Sequence, residues 1–312
     1  MKPEVFLTFP LPPELEPLRN GPYTLHLGEG RPPDLPQPAR ERVRAIITNG
    51  IKGADRSLIE YFPRLEIIGS LGIGLDAIDL TCARERGVLV TNTPGVNADD
   101  VADLAMMMVV ERLRRVRDGN AFLVRGDWLK GPFPLARTVS GRKLGIIGLG
   151  AIGARIAARA AAFHMQVFWH GPRPKPQIDL PYVPDLVELA GMVDVLVVCC
   201  SGGAATRHLV DARVMSALGP DGVLINVARG SILDTAALIA ALETGTLGSA
   251  ALDVFEDQPQ VAESLRKSER VLLTPHLGSA THETRARMGA MVLAGLAEHF
   301  AGRRPAHLVD AS

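Results

Sequence analysis

A chain of 312 residues, 47% apolar and 22% charged, is long enough for about two globular domains with sizeable cores. Its 34 basic and 34 acidic side chains cancel, so no overall field draws it to nucleic acid or an anionic membrane, and neither is expected as a partner. The three cysteines show no CxxC or His/Cys ligand spacing, which indicates neither a disulfide framework nor a metal site.

Residues 1–17 carry one lysine and scattered prolines and do not read as a signal peptide. With no apolar run of membrane-spanning length, a cytoplasmic location is expected. Apolar runs over 5–8, 23–27, 45–48, 67–70 and 89–91 read as strands, and residues 55–62 and 80–85 as helices. Strand–helix alternation of this kind predicts an open, mostly parallel α/β sheet. Residues 32–38 read as a proline-rich surface loop. A helical pattern over 99–116 starts with Asp99 and Asp100, which suit the positive end of the helix dipole. It is apolar on most faces over 104–110, as in a helix buried between layers. Residues 119–142 mix Phe122, Trp128 and Phe133 with two prolines. They read either as a subunit interface, hence a homodimer, or as a loop folded over its own domain.

A second alternating series follows, with strands over 143–148, 165–169, 193–200, 222–226, 249–253 and 271–274. Helices are expected over 152–163 and 235–244 between them, and Cys199 and Cys200 end one of the apolar runs as core residues of a protein kept reduced. A last helical pattern over 281–300 is expected to return to the first domain, because the strands of the second are used up. The expected division is residues 1–97 plus 284–312 against 98–283.

Gly148-Leu149-Gly150-Ala151-Ile152-Gly153 matches GxGxxG between a strand and a small-residue helix, the context a dinucleotide turn requires. Gly148 permits the tight turn, Gly150 lets the backbone approach a pyrophosphate, and Gly153 lets helix and strand pack closely. The helix amides of Ala151, Ile152 and Gly153 then face the phosphates. An NAD-preferring site usually carries an acid roughly 20 residues on. Here the stretch reads Trp169-His170-Gly171-Pro172-Arg173-Pro174-Lys175, with two cations and no acid. Arg173 and Lys175 would attract a 2′-phosphate, so NADP(H) is predicted over NAD(H); a solvated basic loop is the other reading.

Three further segments, Asn226-Val227-Ala228-Arg229-Gly230, residues 251–259, and Thr274-Pro275-His276-Leu277-Gly278-Ser279, each end a predicted strand. An arginine, a carboxylate-rich turn and a histidine at the carboxyl ends of parallel strands suit reduction of a keto acid. Taken with Leu71-Gly72-Ile73-Gly74-Leu75-Asp76, Val90-Thr91-Asn92-Thr93-Pro94-Gly95 and Asp100-Val101-Ala102-Asp103, they make nearly the whole chain resemble the D-2-hydroxyacid dehydrogenases. Within that family it is most similar to the glyoxylate/hydroxypyruvate and hydroxyphenylpyruvate reductases.

The resemblance implies two doubly wound parallel-sheet domains joined by two long helices, a flavodoxin-like substrate domain and a Rossmann dinucleotide-binding domain. It implies that Arg229 binds the substrate carboxylate and polarises the carbonyl, and that His276 donates the proton. Backbone amides around Ile73 and Gly74 would hold the carboxylate from the first domain. Asp253 would contact the nicotinamide, and Val227, Ala228, Gly278 and the turn near Ser201 and Thr206 would line the cofactor. Ile73, Leu75 and Trp128 or Leu129 would form an apolar pocket wall, which admits phenylpyruvate-like acids.

Two positions depart from the family pattern. Gln258 stands where relatives carry a glutamate paired with the histidine. Either the amide orients His276 without supplying charge, or Glu256 or Asp257 swings in to supply it. NADP-using relatives often have arginine where Pro172 stands, so the phosphate contact falls to Arg173, shared with Lys175 or weakened. Other readings stay open at this point: a formate-dehydrogenase-like enzyme, since those relatives also carry glutamine here; a phosphoglycerate-type dehydrogenase, if Lys52 serves the substrate; and a non-catalytic, NAD(P)-sensing corepressor-like protein.

Overall fold

Two parallel sheets organise the chain in the computed structural model, which describes residues 2–28 and 35–309. Contacts divide it into one unit of Met1–Val96 with Thr281–Ser312 and another of Asn97–Ala280. The chain passes between the units at 96–97 and 280–281, directly ahead of its two longest helices, Ala98–Arg114 and His282–Phe300.

The first unit holds β1 (Glu4–Leu7), β2 (Thr24–Leu27), β3 (Val43–Thr48), β4 (Ile67–Ser70) and β5 (Leu89–Thr91), in the order β2-β1-β3-β4-β5 and parallel throughout. This is the flavodoxin-like doubly wound order. The central strands are buried along almost their whole length, as expected of a sheet covered on both faces. β3 starts two residues before the apolar run because Arg44 sits within it. That guanidinium reaches Glu66 at 2.6 and 2.7 Å, so the charge lies off the sheet while Val43 stays buried. Asp55 and Asp79 cap the helices Arg56–Tyr61 and Leu80–Glu85, each accepting a backbone N–H at 2.8 Å. The returning His282–Phe300 helix adds Met288, Val292 and Leu296 to the core formed by Val5, Leu7, Ala45 and Ile67. His299 also reaches Glu66, at 2.9 Å. Burial alone would raise the Glu66 carboxyl, but the hydrogen bonds from Arg44 and His299 outweigh it and hold the group below the usual glutamate range. Of the proline-rich loop expected over 32–38, residues 32–34 lie outside the described residues, and Gln37–Arg40 forms a single helical turn.

The second unit holds β6 (Lys143–Ile147), β7 (Gln166–His170), β8 (Val195–Val198), β9 (Val223–Asn226), β10 (Ser249–Leu252) and β11 (Val271–Leu273), in the order β11-β10-β9-β8-β6-β7, again all parallel. A Rossmann sheet has one more strand outside β7. Here it is reduced to a single bridge between Trp169 and Tyr182. Pro181 and Pro184 flank that bridge, and proline has no N–H to donate to a ladder. Ala98–Arg114 supplies Val101, Ala102, Ala105, Met108 and Val109 to the core beneath β6, β8 and β9.

The expected helix over 99–116 ends earlier, at Arg114, because Arg115 turns left-handed with φ 53°. A second helix, Val116–Val124, then runs into the segment read as irregular. Helices Leu186–Met192, Ala212–Leu218 and Glu263–Lys267 are not placed from the sequence, although the first two are longer than Arg56–Tyr61 and Leu80–Glu85, which are. Among the described residues no helix is long and apolar enough to cross a membrane, and no group of three His, Cys, Asp or Glu could hold a metal ion.

Candidate active site

Because all six strands of the second unit run parallel, the segments that follow them emerge along one edge of the sheet. The glycine turn follows β6 there. Gly148 has φ 96°, and a Cβ on it would lie 2.6 Å from the Cys200 backbone. A Cβ on Gly153 would lie 2.3 Å from the Gly148 oxygen, so helix Ala151–Ala162 starts tight against the strand. Gly150 differs: a Cβ there would meet nothing within 4 Å. The space in front of the helix N-terminus is open, and no side chain caps it. The first-turn amides of Ala151, Ile152 and Gly153 are therefore available to an anion, which fits a pyrophosphate.

Around the turn, the Gly148 N–H donates to the His170 carbonyl at 2.9 Å, fixing the end of β7 beside it. Lys175 donates to the Leu149 carbonyl at 2.6 Å. The two cations thus differ: Lys175 braces the turn, while Arg173 is exposed. Past β8, the Thr206 hydroxyl donates to the Ser201 carbonyl at 2.9 Å and closes that loop. Burial pushes both neighbouring thiols up, Cys200 to about 11, and Cys199 lies against Ile147 and Gly148. They are inert rather than nucleophilic.

β9 ends in Asn226, which is fully buried. Its side chain accepts from the Ala228 N–H at 3.0 Å and donates to the Arg229 carbonyl at 2.9 Å. This closes the turn that carries the buried Val227 and Ala228 and presents the half-buried Arg229. The Arg229 Nη1 donates to the Ala228 carbonyl at 2.7 Å. Asp253, 1% exposed, does the same for the turn after β11. Its carboxylate accepts from Thr274 Oγ1 and the Leu277 N–H, both at 2.6 Å, and from the Gly278 N–H at 2.9 Å. Gly278 allows that approach, since a Cβ would lie 3.2 Å from Asp253 Oδ2. The sequence reading assigns Asp253 a nicotinamide contact; in the structure its three hydrogen bonds build the turn that carries His276. Asn226 and Thr274 open two of the quoted segments but receive no role there, because shaping a turn from beneath is not visible in linear spacing.

His276 is held with φ 56°, a left-handed backbone uncommon for a residue other than glycine. Gln258 faces its ring, with Nε2 3.3 Å from Nδ1. Glu256 is committed elsewhere, to Arg207, His208 and Thr235, and Asp257 is exposed. In the structure Glu256 is thus held away from His276, and the neutral amide of Gln258 faces the ring.

In the first unit, the Ile73 carbonyl accepts from Asn92 Nδ2 at 3.1 Å, and the Gly74 carbonyl accepts from Ser70 Oγ at 3.5 Å. In a planar trans peptide the following N–H points the other way, so the Gly74 amide is turned away from Asn92. Lys52 is exposed, in a turn closed by Asn49. Trp128 and Leu129 are exposed on the arm after Val116–Val124.

Residues 106–278 match the model of the D-isomer specific 2-hydroxyacid dehydrogenase NAD-binding domain, more than half of the chain. The chain belongs to the D-isomer specific 2-hydroxyacid dehydrogenase family. It is 47% identical over 264 residues to glyoxylate/hydroxypyruvate reductase A of Arabidopsis thaliana, covering 85% of this chain and 84% of that one. It is 45% identical over 263 residues to the hydroxyphenylpyruvate reductase of Plectranthus scutellarioides, covering 84% of each. Among solved structures, the NADPH-dependent glyoxylate/hydroxypyruvate reductase of Sinorhizobium meliloti, in complex with NADP and malonate, superposes with a TM-score of 0.94 at 36% identity. That match covers 100% of this chain and 98% of the other. The resemblance read from the motifs is thus borne out, and this D-2-hydroxyacid dehydrogenase is an NAD(P)-linked oxidoreductase acting between 2-keto and 2-hydroxy acids.

Proposed function

We propose that this dehydrogenase reduces a small 2-keto acid of the glyoxylate or hydroxypyruvate kind to the D-2-hydroxy acid, with NADPH preferred over NADH. One observation carries the reading. Arg229 and the Gln258–His276 pair follow the neighbouring strands β9, β10 and β11, at the sheet edge that also carries the glycine turn. When bound, the reduced nicotinamide supplies a hydride to the keto carbon. Arg229 holds the substrate carboxylate and polarises the carbonyl, for which a fixed charge and forked donors are suited. His276 gives a proton to the carbonyl oxygen. For that role the ring keeps its Nδ1 proton, and the Gln258 oxygen, which has no hydrogen-bond partner as oriented here, turns to accept it. Backbone amides at Ile73 and Gly74 are further carboxylate ligands in this reading. Residues 1–97 with 284–312 are the substrate domain, and 98–283 the dinucleotide-binding domain. The exposed Arg173 meets the 2′-phosphate, and Lys175 keeps the turn in shape beneath it.

The names of the relatives support glyoxylate and hydroxypyruvate as first substrates and hydroxyphenylpyruvate as a further one. A cytoplasmic location, with Cys82, Cys199 and Cys200 reduced, is part of this reading. We also read the protein as a homodimer. Met107, Val116 and Phe163 are exposed around an apolar cleft of about 440 Å³, and Leu123, Val124 and Leu135 are exposed further along the chain.

The test is oxidation of NADPH and of NADH with a panel of keto acids, formate and phosphoglycerate being assayed with the oxidised cofactors. The expected result is turnover of glyoxylate or hydroxypyruvate, with kcat/KM higher for NADPH. A preference for NADH removes the role of Arg173. Dinucleotide binding without any turnover instead marks a corepressor-like binding protein.

A further inference from the structure

Glu256 lies two residues before Gln258 but does not face His276. Its carboxylate gathers donors from two other segments. Oε1 accepts from Arg207 Nη2 at 2.8 Å and His208 Nε2 at 2.9 Å, and Oε2 accepts from Thr235 Oγ1 at 3.1 Å. The His208 hydrogen bond leads the interactions that hold this carboxyl below the usual glutamate range.

The donors stand on anchored backbone. His208 has φ 50°, in the left-handed region, and its N–H donates to the Ser231 carbonyl at 2.8 Å. The Val210 N–H donates to Ile232 at 3.0 Å, and the Asp234 N–H returns to Val210 at 3.1 Å. Residues 208–210 therefore run alongside the residues that follow Arg229, whatever Glu256 does. From the other side the loop bearing Gln258 lies directly on that turn: a Cβ on Gly230 would sit 1.9 Å from the Phe255 carbonyl carbon and 2.2 Å from the Glu256 nitrogen. Behind the loop is a cavity of about 230 Å³ bordered by Gly230, Thr235, Phe255 and Asp257. On that side the loop borders an open pocket, while its Phe255–Glu256 backbone rests on Gly230.

We propose that Glu256 is a positioning residue, whose carboxylate latches the Gln258 loop onto Arg207 and His208 on one side and onto Thr235 on the other, and so keeps Gln258 against His276. This rests on the reading that Gln258 orients His276 for proton transfer. Because 208–210 is tied to 231–234 by backbone hydrogen bonds and by the packing of Val210 with Ile232 and Leu233, without Glu256, the latch governs the catalytic loop and not the dinucleotide side.

Glu256→Gln and Glu256→Ala are to be assayed beside the wild type on the keto acid it reduces best. Displacing a catalytic group slightly costs about tenfold or more in kcat, and that loss is expected here. The KM for NADPH is expected to stay within about twofold, since binding there is left intact. Added to Gln258→Ala, Glu256→Gln causes no further loss, because both act through one contact. His208→Gly suits the left-handed backbone, removes only the ring, and reproduces part of the fall in kcat. Where Glu256→Ala does not fold, the isosteric Glu256→Gln carries the test. Wild-type kcat in Glu256→Gln, a raised KM for NADPH with kcat unmoved, or losses that multiply in the double variant overturn the latch. A wild type that reduces no keto acid removes the underlying reading, and the latch with it.

Discussion

Replacing a carboxylate by the Gln258 amide leaves the shape beside His276 almost unchanged and alters its electrostatics. An amide oxygen can accept the Nδ1 proton, but it brings no full negative charge to an imidazolium. Keto-acid reduction needs the protonated donor, so it fades as that form is lost on the alkaline side. Gln258→Glu places a carboxylate at the same contact, where an opposite charge moves a titration by about one pH unit or more. The expected outcome is an alkaline limb of kcat/KM displaced upward by that amount; an unchanged profile would show that the side chain only orients the ring. His276 and Arg229 could be nominated along the chain through the ordered motifs that resemble the family, and Gln258 as a departure from that family pattern. Asn226, Thr274 and the turn-building role of Asp253 could not, because their work is done through hydrogen bonds to backbone N–H groups or to another side chain, 2–25 residues away.

The glycine turn separates two demands that one motif combines. Gly148 and Gly153 serve the protein's own packing, since a Cβ on either collides with backbone. Gly150 serves what lies outside, since a Cβ there meets nothing. Gly148→Ala is expected to destabilise the fold by about 1–3 kcal/mol, the usual scale of a strained backbone. Gly150→Ala should keep the wild-type denaturation midpoint and lose affinity for NADPH. Chemical denaturation and calorimetric titration read the two effects separately, and a Gly150→Ala protein that binds NADPH normally would deny the turn its phosphate role. The strands on either side were legible because a parallel strand covered on both faces is a plain apolar run. The short helices Leu186–Met192, Ala212–Leu218 and Glu263–Lys267 were not, although aspartates cap two of them.

The proposed association of whole chains would give the exposed apolar residues of the second unit a use. Large apolar residues left exposed together are costly unless another surface covers them. Sedimentation at micromolar concentration is expected to report twice the 33.4 kDa chain. Phe163→Glu, which puts a charge at the cleft, should shift that equilibrium to the monomer. A wild-type monomer at those concentrations would return residues 119–142 to the other reading, a loop covering its own domain.

Periodicity, glycine spacing and the order of the motifs were enough to specify two parallel α/β units and the dinucleotide turn and to nominate the proposed reacting side chains, since the first two follow from local preference and the last from the motifs' resemblance to the family. Folding in three dimensions was needed to say that Lys175 braces the turn while Arg173 is exposed, that Glu256 turns away from His276 and Gln258 toward it, and that Asp253 holds the turn beneath the ring. Those assignments depend on which distant groups a side chain reaches first, and competition among partners of that kind leaves no trace in linear spacing.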